Sequence, residues 1–158
     1  MKKGLFFLCV ILFSTNTFAL DNGLYLGLKA GSLEIDVSEV DGETARGFVI
    51  GYQWDGVAVE FEANDADLEF DISGMIVDAN LKTKAVYAVA RTEGPVYFKA
   101  KVGYLKEEIS NSFMKESETG LSAGIGVGGR FGPVSIETEF TFIEEDIDLL
   151  SLGAHFHF

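Results

Sequence analysis

Beyond residue 23 no run of apolar residues is longer than about six (Ala85–Ala90), yet apolar and polar residues alternate along segment after segment. That combination leaves few folds open. A membrane-spanning helix needs roughly 20 apolar residues in succession, whereas a period of two describes a strand with one greasy face and one wet face. The end of the chain shows it most clearly. Leu150, Leu152, Ala154, Phe156 and Phe158 alternate with Ser151, Gly153, His155 and His157. An apolar strand running to its last residue would be an aggregating edge if left uncovered. In a closed barrel it pairs with the first strand, so this segment is expected to close one.

Seven further segments repeat the pattern. Leu24, Leu26, Leu28 and Ala30 oppose Tyr25, Gly27 and Lys29; Phe48, Ile50, Tyr52 and Trp54 oppose Val49, Gly51 and Gln53. After the hairpin signal Asp55-Gly56, Val57, Val59, Phe61 and Ala63 oppose Ala58, Glu60, Glu62 and Asn64. The fourth segment sets Leu81, Thr83, Ala85, Tyr87 and Val89 on the apolar face and Lys82, Lys84, Val86, Ala88 and Ala90 on the other. The fifth sets Val96, Phe98, Ala100, Val102 and Tyr104 against Tyr97, Lys99, Lys101 and Gly103. In the sixth, Leu121, Ala123, Ile125, Val127 and Phe131 face away from Ser122, Gly124, Gly126, Gly128 and Arg130. In the seventh, Val134, Ile136, Thr138, Phe140 and Phe142 face away from Ser135, Glu137, Glu139 and Thr141.

The connections alternate as well. Asp55-Gly56, Thr92 to Pro95 and Gly132-Pro133 are short, whereas the polar stretches 31–45, 64–80, 105–119 and 143–149 read as long loops. Short turns at one end and long loops at the other fit an all-β, eight-stranded antiparallel up-and-down transmembrane barrel with both termini on the periplasmic side. The front of the chain agrees. Lys2 and Lys3 precede the apolar run Leu5–Phe13, and small residues close the segment at Ala19, which is the pattern of a cleaved signal peptide. This divides the chain into a leader, residues 1–19, and one barrel domain, residues 20–158. Cys9, the only cysteine, lies in that leader behind Leu8, where a lipoprotein signal would need a small residue. The formal net charge of −13 argues against nucleic acid as a partner.

A secreted soluble barrel of the lipocalin kind would turn its apolar face inward. Three features favour the membrane reading over it. Aromatic residues gather towards the strand ends (Trp54, Tyr52, Tyr104, Phe131, Phe142, Phe158), as an interfacial girdle requires. Glycines concentrate on the polar face, where a narrow lumen must accommodate long side chains. The last strand runs to the carboxy-terminus. The polar face then lines the lumen, where Glu60 and Glu62 are expected to meet Lys82, Lys84, Lys99 and Lys101, and Arg130 to lie beside Glu137 and Glu139. Paired charges in so narrow a barrel predict a plugged interior and a structural or recognition role, with a narrow porin or lipid-transport barrel as the alternative.

The stretches Gly23–Gly31, Gly51–Trp54, Pro95–Tyr104 and Ala154–Phe158 resemble the porin-like outer-membrane β-barrel family of Gram-negative bacteria, the small eight-stranded kind that includes the membrane domain of OmpA. The resemblance covers essentially the whole exported chain. It implies outer-membrane lipids and lipopolysaccharide as surroundings and a monomeric state. It also implies that Phe158, Phe156, Ala154 and Leu152 form the signal read by the barrel-assembly machinery.

No catalytic, cofactor-binding or metal-binding residue is assigned. His155 and His157 share one face and read as lumen filler; neither has a serine two residues on, unlike the His/Ser pair of lipid A deacylases. Asp65, Asp67, Glu69 and Asp71 fail as a calcium loop, because Phe70 stands where glycine is needed and Ile76 where a bidentate Glu is needed. The four polar stretches hold 18 of the 25 acidic residues. They are expected to form a solvated rim that binds divalent cations weakly, bridging to lipopolysaccharide phosphates, or that receives a basic partner.

Overall fold

In the computed structural model, residues 22–35, 43–72, 75–110, 115–144 and 147–158 are described. They form eight antiparallel strands: β1 (Gly23–Ile35), β2 (Glu43–Trp54), β3 (Val57–Ile72), β4 (Met75–Arg91), β5 (Val96–Ser110), β6 (Lys115–Phe131), β7 (Val134–Glu144) and β8 (Ile147–His157). Each pairs with its neighbours in sequence, and β8 closes on β1 through pairs such as Leu26 with Phe156 and Leu28 with Ala154. Every strand therefore has two partners, and closure removes the exposed edge that so apolar a sheet would otherwise present. The signal segment ending at Ala19 lies outside the described residues, as do Asp36, Glu39, Asp41, Glu145 and Asp146 of the acidic stretches.

The short connections have the chemistry that the sequence implies. Asp55 and Gly56 both take positive φ, 45° and 79°, which is the two-residue turn whose twist matches flanking antiparallel strands. Gly132 also takes positive φ, 64°, before Pro133. In the connection from β4 to β5, the Thr92 amide donates to the Phe98 carbonyl at 2.9 Å and the Thr92 hydroxyl accepts from the Phe98 amide at 2.9 Å.

The outer surface is apolar. Leu28, Phe98 and Leu121 are each about 70% exposed (72, 69 and 70%), and they belong to an outward row that includes Leu26, Ile50, Val59, Val102, Ile125, Ile136 and Leu152. The charged residues Lys29, Glu60, Glu62, Lys99, Lys101, Glu137 and Glu139 are buried inside. This arrangement excludes the soluble carrier, because no water-soluble barrel turns leucines out and ion pairs in. Tyr52, Trp54, Phe131 and Phe158 ring the short-turn end, and Tyr104 and Phe142 lie towards the other, all exposed, where aromatic rings suit a lipid–water boundary.

Two expectations are corrected. The stretches read as long loops are largely strand. β3 continues to Ile72 and β4 begins at Met75, in unbroken register down to Ile72 opposite Met75; β5 reaches Ser110 and β6 starts at Lys115. Strands can project beyond the apolar band with polar residues on both faces, so polarity alone does not mark a loop. The second correction is the phase of β4. Leu81, Thr83, Ala85, Tyr87 and Val89 face the lumen, whereas Lys82 and Lys84 face out. From Ala85 to Ala90 both faces of this strand are apolar or aromatic, so the only charge contrast came from two lysines above the membrane band. A shift of one residue exchanges the faces of a whole strand.

Candidate functional site: the charged lumen

The interior is layered. At the end away from the short turns, Ala45, Ala66, Leu81, Leu105, Ile143 and Leu149 converge, each no more than 3% exposed, and form an apolar cap. Below the cap lies a core of four cations, Lys29, Arg91, Lys99 and Lys101, and four carboxylates, Glu60, Glu62, Glu137 and Glu139. Lys99 is the hub. Its ammonium lies 2.8 Å from Glu60, 3.0 Å from Glu137 and 2.8 Å from Glu139. The Arg91 guanidinium bridges Glu60 at 2.5 Å and Glu137 at 2.9 Å. Lys101 joins Glu62 at 2.7 Å to Glu139 at 2.6 Å, and Lys29 joins the same two at 3.0 and 2.5 Å.

Tyrosines brace the core. The Tyr25 hydroxyl donates to Glu60 at 2.6 Å and the Tyr97 hydroxyl to Glu137 at 2.7 Å. The Lys101 ammonium sits 4.0 Å above the centre of the Tyr87 ring, a cation–π contact made in the dry interior. Glycines make room for these rings: a Cβ at Gly51 would overlap Tyr25, and one at Gly128 would overlap Tyr97. The polar-face glycines thus admit aromatic rings as well as the charged side chains the sequence suggested.

The expected partners are partly right. Glu60 and Glu62 do meet Lys99 and Lys101. Lys82 and Lys84 take no part; Lys82 pairs on the outer surface with Asp65 at 3.6 Å, both about half exposed. Nor does Arg130 pair with Glu137 or Glu139, which are held by Arg91 and the lysines. Arg91, at the last position of β4, was missed. Its inward face follows only once that strand's phase is known. Tyr25 and Tyr97 already stood on the inward face in the alternation, and that parity was the signal that could have found them; Tyr87 shared the misphased row of β4 and, like Arg91, follows only once that strand's phase is known.

Glu60, Glu62 and Glu139 lie close enough together to ligate one cation. Here lysine ammonium groups hold that position, so their charge is balanced without a metal. His155 is buried in the lumen, as read from the sequence, whereas His157 lies at its rim, with Nε2 3.0 Å from the Ser135 hydroxyl and its ring stacked on Tyr25 at 5.1 Å. The two partners come from different strands, so spacing along the chain could not reveal them.

An apolar exterior, a closed eight-stranded sheet and an interior of desolvated ion pairs define a transmembrane β-barrel, since only full closure satisfies backbone polar groups in lipid. The sequence matches the outer membrane protein beta-barrel domain family over residues 5–146, and the chain belongs to that family. Among solved structures, it is similar to Neisserial surface protein A (NspA) at 16% identity, with a TM-score of 0.63 and 86% of this chain and 97% of that one covered. It is also similar to Ail, the attachment invasion locus protein of Yersinia pestis, at 20% identity, with a TM-score of 0.55 and 87% and 97% covered. A third similar structure is the N-terminal β-barrel domain of Pseudomonas aeruginosa OprF, at 18% identity, a TM-score of 0.50 and 87% and 100% covered. At these identities the likeness is one of fold. A search of curated proteins gave no match.

Proposed function

We propose that this protein is a sealed, non-enzymatic element of the outer membrane with a structural or recognition role, and that it is not a diffusion pore. The lumen core carries this reading. Four cations and four carboxylates interlock between β1, β3, β4, β5 and β7, and the apolar cap lies above them. Water or a solute could pass only by separating pairs whose desolvation costs several kcal/mol per ion. Planar-bilayer recording of the refolded protein tests this. Silence, or only brief flickers, is expected; steady nanosiemens conductance would mean that the charges line a channel.

Export by the leader ending at Ala19 and periplasmic placement of both termini belong to the same proposal, as does reading of the β8 row Leu152, Ala154, Phe156 and Phe158 by the assembly machinery. Lipopolysaccharide is the proposed neighbour at the other end. Lys84 and Lys106 stand directly opposite each other on the outer surface, both exposed, with Lys82 and Arg46 also facing out. Like charges opposed across a ladder repel unless an anion lies between them, and the phosphates of the outer leaflet supply one. The acidic residues around this rim would add weak divalent-cation binding.

A further inference from the structure

We propose that the short-turn mouth of the barrel holds a small oxyanion, a phosphate or a carboxylate, between Arg130, Ser135 and His157. The lumen core is balanced without Arg130, because its four carboxylates are shared among Lys29, Arg91, Lys99 and Lys101. Arg130 adds one further positive charge. It is only 7% exposed, and among the described residues its Nε and Nη2 atoms have no hydrogen-bond acceptor. Its guanidinium carbon lies 5.7 Å from the centre of the Tyr97 ring, over the ring face. A buried charge without a counter-charge is strongly unfavourable. A water molecule could accept from these free N–H groups, but it would leave the charge in place.

The neighbours suit an anion. In the ladder Arg130 stands opposite Ser135, and Ser135 stands opposite His155. The Ser135 hydroxyl is fully buried and 3.0 Å from His157 Nε2, so hydroxyl and ring face the same side of the mouth. His155 lies one strand further on, with both ring nitrogens free of hydrogen bonds among the described residues and Nδ1 3.8 Å from Glu137. That carboxylate is already bridged by Arg91 and Lys99 and bounds the site on its inner side. The planar guanidinium fork matches the paired oxygens of a carboxylate or phosphate. Arg130 is the second-last residue of β6, next to the Gly132-Pro133 turn, so a ligand reaches it from the mouth without crossing the lumen core.

The test uses the full exported chain refolded in uncharged detergent micelles and followed by nitrogen-15 NMR of the Arg130 Nε–H and the His157 ring. Inorganic phosphate, acetate and chloride are titrated at matched ionic strength. Both signals are expected to move saturably with phosphate or acetate, and the tighter of the two identifies the ligand class. Chloride should give only a small linear drift. Arg130→Lys, which keeps the charge and loses the fork, should weaken the response several-fold, and Arg130→Met should abolish it at His157. Equal drift with all three salts in the parent protein would overturn the proposal, and that measurement needs no variant to fold. So would a saturable His157 response that survives in Arg130→Met.

Discussion

Replacing Lys99 by Met removes the hub of the lumen core while keeping a long, unbranched side chain. Lys99 is 3% exposed and contacts three carboxylates within 3.0 Å. Glu60 and Glu137 would retain Arg91, and Glu139 would retain Lys29 and Lys101. Four carboxylates would then share three cations, leaving one buried negative charge uncompensated. Breaking a buried pair in this way costs about 3–5 kcal/mol. With a urea slope of roughly 2 kcal/mol/M, the unfolding midpoint should fall by about 2 M. The assay is urea titration of the protein refolded into lipid vesicles, read by emission from Trp54. This is the only tryptophan, and it lies on the outer surface at the short-turn end, where unfolding would carry it from lipid to water. Adding Glu137→Gln to Lys99→Met restores equal numbers of charges and should recover part of the loss. A midpoint within about 0.5 M of the parent would sink the reasoning, because a loss near 1 kcal/mol is what solvated surface pairs contribute.

Lys82→Glu should change stability by no more than about 1 kcal/mol in the same titration, because its pair with Asp65 is solvent-exposed; a large loss would return Lys82 to the lumen. Ile125→Arg places a charge on the outward face, where Ile125 is 61% exposed, and should cost about 2–4 kcal/mol if that face meets the bilayer midplane. An unchanged midpoint in vesicles would argue against lipid contact there. Gly51→Val drives a side chain into the Tyr25 ring and should cost about 1–3 kcal/mol. Gly120→Ala, with no atom of the described residues within 4 Å of the added carbon, serves as the near-neutral control, and the temperature at which each barrel loses its compact gel mobility gives the comparison.

The local pattern determined the strands and, for all but β4, which face meets lipid. Alternation is a property of neighbouring residues and survives without knowledge of the rest of the fold. Phe48, Ile50, Tyr52 and Trp54 point outward as their spacing required, and so do Leu150, Leu152, Ala154 and Phe156. β4 escaped because its membrane half is apolar on both faces, so the period carries no phase there. How far each strand extends also escaped, since polar alternation beyond the membrane looks like a loop until a partner strand supplies its hydrogen bonds. The ion pairs were beyond the reach of spacing for a different reason. Adjacency in a flat sheet puts Arg130 beside Glu137, but curling the sheet into a narrow tube brings β3, β5 and β7 together across the lumen. Lys99 therefore reaches Glu60 and Glu137 on strands it never touches in the ladder, and Arg130 is left without either carboxylate. Which side chains face inward is written in the period of two; which of them meet depends on register and closure, and those exist only once all eight strands have paired.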